Sequence, residues 1–381
     1  MTNNDMTNKD MTNHDMTNYD MTSYDKTNNH DKANHDKANY DKILGCILGA
    51  AVGDAMGAAT ECQSSRQIER RFGGRVTGFR TPPDDSLAAG RQKAQVTDAF
   101  SIPYTLTNHL IKAKGAASAE LARDALREWG ASEWFAPFAG MTTRKVVKSL
   151  GDGGDAGAWA YAGHLGNKLY KSHYYALSSN GAAVKAYPAA LLHPGRPQKA
   201  VEAAVEMTMA SHDDIISLSA AAAMAAAISR AFDENCSVWD MVEAALWGAE
   251  LGSDISRGRS DALSYPGPSL GKRLRLAVQL GVCHGADAMG NIRDLIGSGP
   301  SVTESVPAAF GLLVANQGAT MAAILDGVNI GDETAAIASL TGALCGALRG
   351  SASIPQEYLD QIDRANGFDL RKQAADLRAL Q

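Results

Sequence analysis

The sequence predicts an all-α protein, and three observations carry that expectation. Hydrophobic residues make up 45% of the 381 residues but aromatics only 6%, so the apolar content is Ala, Leu, Val, Ile and Met. Such content favours helices, because Ala loses no side-chain entropy there. Alternating runs of β-branched and aromatic residues, the mark of strands, are few. Helical patterns instead recur along the chain, often opened by Ser, Asp, Thr or Pro and several closed by Gly or Asn.

Residues 1–42 form a degenerate pentapeptide repeat, MTNND MTNKD MTNHD MTNYD MTSYD, which decays into KTNNHDKANHDKANYDK. Asn, Asp, Thr and Lys leave almost nothing to bury, so composition predicts a disordered tail. It reads as a relic of a short repeat, with a tether or interaction tail as the alternative. Removing everything before Asp41 is expected to leave the fold intact.

The folded body, 43–381, is expected to open at Ile43 with Gly45, Gly49, Gly53 and Gly57. Spacing by four puts all of them on one helix face, where the missing Cβ atoms let another backbone approach. Each Gly costs a helix about 0.5–1 kcal/mol relative to Ala, so a ridge of four implies a packing or ligand reason. The run Ile43–Thr60 has about the length of a membrane span. Asp54 lies inside it and no second span follows, so a buried helix is the better reading. Further helices are predicted over Asp98–Lys114, Ser118–Gly130, Thr142–Leu150, Pro197–Ser211 and Ile215–Phe232. Six more follow over Ser237–Gly252, Gly271–Cys283, Asp287–Ile296, Val306–Asn316, Thr320–Val328 and Glu333–Leu348. The stretch SLSAAAAMAAAISRA is apolar on all sides and reads as a central, fully packed helix. Loops rich in Gly, Pro and Asp are expected at Thr81–Gln92, Gly151–Tyr175, Ser253–Ser269 and Gly297–Glu304. No linker divides this body, so one domain is expected.

A net charge of −6 and the lack of a large basic patch argue against nucleic acid as a partner. A small phosphorylated ligand stays compatible, since loops and helix N-termini hold phosphates without a global charge bias. Cys46, Cys62, Cys236, Cys283 and Cys345 are scattered, odd in number and without a C-x-x-C pair. They read as buried free thiols in a reducing compartment. The polar start shows no secretory signal, so a cytoplasmic location and no membrane partner are expected.

Four polar clusters interrupt apolar helices. Asp54 and Glu61 are seven residues apart, about two helical turns, and could share a face. Thr97-Asp98 precedes an apolar helix. Ser211-His212-Asp213-Asp214 joins two helices. Asn329-Ile330-Gly331-Asp332-Glu333-Thr334 precedes an Ala-rich helix. Taken singly, Thr97, Asp98, Ser211, Asp213, Asp332 and Thr334 are good helix N-caps, and a lone histidine is more often structural than a ligand. Taken together, such oxygen-rich helix starts also suit a hard cation such as Mg²⁺. Spacing alone leaves both readings open.

The run GCILGAAVGDAMGAATE resembles the opening motif of the ADP-ribosylglycohydrolase family. VTDAF resembles its Thr-Asp-Asp-Thr motif, SSNGAAVKAYP its Asn-Gly-Ala-Ala-Met-Arg loop, and SHDD its Thr/Ser-His motif. VNIGDETAAIASLTGALCGALRG resembles its C-terminal Gly-Asp-Thr-Asp-Thr segment. The five occur in family order between Ile43 and about Pro355. The family includes hydrolases that release ADP-ribose from arginine or serine, the enzyme that reactivates dinitrogenase reductase, and jellyfish crystallins.

The resemblance implies an all-α orthogonal bundle whose cleft holds two Mg²⁺ ions beside the ribose of ADP-ribose. It implies metal ligation by Thr97, Asp98, Glu333 and Thr334, and catalytic roles for Glu61 and Asp98. It implies substrate contacts from Ser179, Asn180, Gly181 and His212, with Tyr174 or Tyr175 placed to stack on adenine. The chain departs from the pattern where metals would bind. Ala99 and Phe100 replace an Asp and a Thr, Glu333 replaces an Asp, and Ala335 and Ala336 replace an Asp and a Thr. Ala cannot coordinate a metal, so one Mg²⁺ at most, or none, is expected. Val184 and Lys185 stand for the usual Met-Arg, which keeps the charge but loses the planar fork. The reading is a hydrolase of a glycosidic bond to ADP-ribose or a related ribosyl nucleotide, on a protein side chain or a small molecule. The alternative is a non-catalytic ADP-ribose binder or a crystallin-like structural protein.

Overall fold

A computed structural model describes residues 21–151, 178–259, 267–283 and 285–381. By contacts the chain divides into a unit Met1–Ala38 and a unit Asn39–Gln381. The helix bearing the Gly ridge runs Met21–Gly57. Asn39–Lys42, which composition assigns to a disordered tail, are therefore helical and belong to the larger unit. Two of their polar side chains have partners there that composition does not reveal. Asp41 Oδ1 accepts from Ser351 Oγ at 2.5 Å and Ser351 N at 3.1 Å, and Lys42 Nζ donates to the Ala231 carbonyl at 2.6 Å.

All eleven later helices predicted from periodicity are present, most within a few residues of the predicted ends. Two differ more. The helix predicted to end at Gly252 continues to Arg257. The helix predicted to open at Val306 opens at Val302, with Pro307 inside it. Proline has no N–H for the carbonyl four residues back. That carbonyl, Thr303 O, instead accepts from Arg273 Nη1 at 3.2 Å, so the turn survives. Among the described residues five α-helices escape the periodicity: Ser65–Phe72, Phe135–Phe138, Tyr187–Leu191, Gln356–Asn366 and Leu370–Arg378. Among the described residues there is no strand, only isolated bridges joining Ser64 to Gly331 and Ser179 to Ser301. No described helix is long and apolar enough to cross a membrane.

The core is built around two features. Ile215–Arg230 is buried continuously from Ser217 to Ser229, the central helix its composition predicts. The Gly ridge lies against Thr334–Arg349, antiparallel and backbone to backbone. A Cβ on Gly45 would fall against Gly346 O, on Gly49 against Gly342 O, on Gly53 against Ala338 O, and on Gly57 against the Ala335 backbone. The contact is reciprocal, for a Cβ on Gly342 or Gly346 would strike Gly49 or Gly45. The ridge thus has a packing reason, and it draws the end of one helix to the start of the other.

The cysteines depart from expectation. Cys46 and Cys345 are buried, but Cys62 and Cys283 are exposed and Cys236 is half-buried; all five are free thiols. Cys62 sits in the turn after the ridge with φ 58°, and Cys283 ends a helix at the surface. Small or apolar neighbours in sequence do not guarantee burial at an element's end.

Candidate active site

The ridge helix ends at Gly57, and the chain turns through Ala58–Glu61, with Thr60 N donating to Gly57 O at 2.9 Å. Asp54 and Glu61 therefore do not share a helix face, contrary to their spacing. The helix stops between them, and each carboxylate serves a different helix start.

Asp54 is wholly buried and fixes the start of Asp98–Lys112. Its Oδ1 accepts from Thr97 Oγ1 at 2.5 Å; its Oδ2 accepts from Thr97 N at 2.8 Å and Phe100 N at 3.1 Å. Burial pushes its carboxyl up to about 7 against the pull of these donors. Thr97 is the N-cap, its Oγ1 also accepting from Ala99 N at 3.4 Å. Glu61 does the same work for Thr334–Arg349. Glu333, the N-cap there, makes no side-chain capping bond. Glu61 Oε2 instead accepts from Ala335 N at 2.5 Å and from Thr334 Oγ1 at 3.1 Å. A carboxylate on the exposed N–H groups of a helix start is favoured by the helix dipole.

The segment Ser178–Asn180 is held by backbone bonds, Asn180 N to Pro300 O at 2.8 Å and Val302 N to Ser178 O at 2.9 Å. Asn180 Nδ2 then donates to Glu333 Oε2 at 2.9 Å and Ser305 Oγ at 3.3 Å. Ser179 Oγ lies 2.9 Å from His212 Nε2. His212 Nδ1 lies 3.0 Å from Ser211 Oγ and 3.3 Å from Lys185 Nζ. The rest of the Ser211–Asp214 cluster is structural. Asp213 takes Arg259 in a two-pronged pair at 2.5 and 2.8 Å, and Asp214 caps Ile215–Arg230 through Ser217 N at 2.9 Å.

These elements enclose a cavity of about 40 Å³ lined by Glu61, Thr97, Asp98, Ala99, Asn180, Gly181, Val184, Glu333, Ala335 and Ala336. It brings together residues separated by up to 275 positions in sequence, from Glu61 to Ala336. Its size suits a water or two or a single ion, not a nucleotide. Of the residues the sequence singles out, Glu61, Thr97, Asp98, Asn180, Gly181 and Glu333 reach its wall. Ser179, His212 and Thr334 do not line it. Tyr174 and Tyr175 lie outside the described residues. Lys185, which the sequence marks only as the stand-in for the family's Arg, is buried at 3% exposure beside His212.

The carboxyls sharing this space raise one another. Burial lifts Glu61 well above its ordinary range, and the charges of Glu333 and then Asp98 add to it. Asp98 is pushed up to about 7 by burial and by Asp54 and Glu333, with Lys185 pulling the other way. Burial raises Glu333, opposed by its bond from Asn180. Burial lowers Lys185 to about 7, and burial with the Lys185 charge holds His212 well below the usual histidine value.

The donor set does not fit a dinuclear Mg²⁺ centre. Three methyl groups, Ala99, Ala335 and Ala336, stand in the wall. One oxygen of Glu61 is committed to a helix start and one of Glu333 to Asn180. Among the described residues no three His, Cys, Asp or Glu side chains are placed to hold one ion.

Comparison with known proteins bears on the family and the fold. The sequence model of the ADP-ribosylglycohydrolase family matches residues 35–381. A curated relative, the uncharacterized protein YegU of Escherichia coli (strain K12), is 25% identical over 349 residues, covering 88% of this chain and 96% of its own. A solved structure described as an ADP-ribosylglycohydrolase-related protein complex shares the fold with a TM-score of 0.59 at 20% identity. The match covers 90% of this chain and 98% of that one.

Proposed function

Since the chain belongs to the ADP-ribosylglycohydrolase family, we propose that it hydrolyses a glycosidic bond to ADP-ribose or a related ribosyl nucleotide, with one Mg²⁺ at most. The observation that carries this reading is the cavity, where Glu61, Thr97, Asp98, Asn180, Gly181 and Glu333 meet. Asp98 is the group best suited to take a proton from water. No side chain donates to its carboxyl among the described bonds, and a carboxyl lifted to about 7 is matched to that task near neutral pH. The cavity has room for that water. Glu61 and Glu333 set carboxyl oxygens where an oxocarbenium-like centre would develop at the anomeric carbon. Asn180 and Gly181 would hold the ribose, and the rest of the ligand would extend away from the cavity.

A second reading, binding without turnover, is favoured by the three Ala methyl groups that line the same wall. Titration of ADP-ribose into the full chain by calorimetry, in EDTA and then in excess Mg²⁺, comes first. Assays of ADP-ribose release from ADP-ribosylated arginine and serine follow. Binding with release supports the hydrolase. Binding without release leaves the binder, and no binding under either condition sinks both.

A further inference from the structure

Beyond the residues that line the cavity, the chain from buried Lys185 through buried His212 to half-buried Ser179 has a direction. An ammonium has three donors and no acceptor. Below about pH 7, where it is charged, Lys185 Nζ at 3.3 Å from His212 Nδ1 can only donate, so Nδ1 must accept. His212 is 1% exposed against that cation, so its imidazole is neutral and carries one proton. With Nδ1 accepting, that proton sits on Nε2 and is donated to Ser179 Oγ at 2.9 Å. A hydroxyl that accepts there has its own proton left to give elsewhere.

We infer that Lys185 is a positioning residue that locks His212 in the Nε2–H form and thereby makes the Ser179 hydroxyl a hydrogen-bond donor toward the ligand. The direction of donation fits the surroundings. Gly181, on the cavity wall, stands beside the pair: a methyl there would lie 3.4 Å from Ser179 Oγ and 3.4 Å from His212 Cε1. The ligand atom that suits this edge is an acceptor oxygen, of a phosphate or of a ribose hydroxyl. Without Lys185 the imidazole would be free to flip its proton to Nδ1, where Ser211 Oγ at 3.0 Å can accept it. Nε2 would then take the Ser179 proton, and the ligand would meet a lone pair in place of a donor. The tautomer itself does not depend on the ligand; only the last link rests on the ADP-ribose reading.

The test is the tautomer of His212, read from the ¹⁵N shifts of histidine-labelled full-length protein at pH 6, with His212→Gln to assign the signal. The unliganded wild type should show Nε2 protonated and Nδ1 bare. Lys185→Met should move the proton to Nδ1 and weaken ADP-ribose about tenfold, the scale of one hydrogen bond. Lys185→Arg, again donor-only, should restore both. A wild-type Nδ1–H form overturns the inference, and it needs no variant to fold. So does a Lys185→Met protein whose tautomer switches while its affinity does not. Ser179→Ala should match the Lys185→Met loss. An Nε2–H wild type that binds no ADP-ribose would uphold the lock and count against the proposed ligand.

Discussion

A single methyl on the Gly ridge tests the packing that builds the site. Gly49→Ala would put a Cβ 2.6 Å from Gly342 C and 3.3 Å from Gly342 Cα. Carbon contacts settle at about 3.5–4.0 Å, so the two backbones must part by roughly an ångström. Neither neighbour is a side chain that can rotate away. The helix gains about 0.5–1 kcal/mol when it loses a glycine. Forcing packed elements apart costs about 1–3 kcal/mol or more, and a rigid backbone contact lies at the upper end. Separation at Gly49 also loosens the contacts at Gly45 and Gly53, so we expect a net loss of about 2 kcal/mol. Gly290→Ala is the control. It lies inside the helix Ala288–Leu295, where the nearest atom to a new Cβ is Arg293 Nη2 at 3.8 Å. It should stabilise by about 0.5–1 kcal/mol. Urea midpoints at unchanged m-value measure both. A Gly49→Ala protein as stable as the wild type would refute the close contact and leave the ridge unexplained.

Three further outcomes follow from the same geometry. Asp54→Ala strips the acceptors from Thr97 N, Thr97 Oγ1 and Phe100 N, and should cost about 2–4 kcal/mol by urea denaturation; a loss under 1 kcal/mol would show that the helix start is held otherwise. Glu61→Gln keeps an acceptor for Ala335 N while removing the charge, so the urea midpoint should hold or rise as ADP-ribose release is lost; a large fall in stability would mean that the charge, not the acceptor, holds the helix. In EDTA the folded protein should be more stable at pH 5 than at pH 7.5. Asp98 and Asp54 titrate near 7 when folded, and Glu61 and Glu333 are raised too. The folded state therefore binds more protons than the unfolded chain, whose carboxyls titrate near 4. This stability is whole below that range and is lost as pH rises through the folded values. Urea midpoints that climb between pH 5 and 7.5 would contradict it.

The Gly ridge was legible because its period and its purpose share one physical cause: only a helix face without Cβ admits another backbone. The cavity residues were legible as motifs, not as geometry. Nothing in the spacing of Asp54 and Glu61 says that the helix stops at Gly57. The missed helices Gln356–Asn366 and Leu370–Arg378 are strongly polar, burying only Leu359 and Ile362 in one and Leu370, Gln373, Ala374 and Leu377 in the other. Too few apolar positions mark them to outweigh their charges. Val302 was hidden by Pro307, which reads as a helix start unless Arg273 is known to take the orphaned carbonyl. Lys185 was legible as the stand-in for the family's Arg, but its partner was not, because that histidine lies 27 residues away in sequence.

Asp54, Glu61 and Asp98 divide into two kinds, and the division bears on what the departures from the family pattern leave behind. Asp54 and Glu61 each satisfy backbone N–H groups at a helix start, so either would be retained for stability in a chain that had lost catalysis. Their persistence is weak support for a hydrolase. Asp98 is different. It takes no donor from another side chain, it is raised by desolvation and then by Asp54 and Glu333, and among its larger influences only the Lys185 charge and its own backbone N–H favour its ionised form. A half-buried carboxyl raised this way costs stability at neutral pH, offset only by its place in the first turn of its helix, a pattern that marks a group kept for its chemistry. Asp98→Asn is therefore the variant that separates the two readings. It should raise the urea midpoint while abolishing ADP-ribose release if the chain is a hydrolase. If the chain only binds, it should raise stability and leave binding intact.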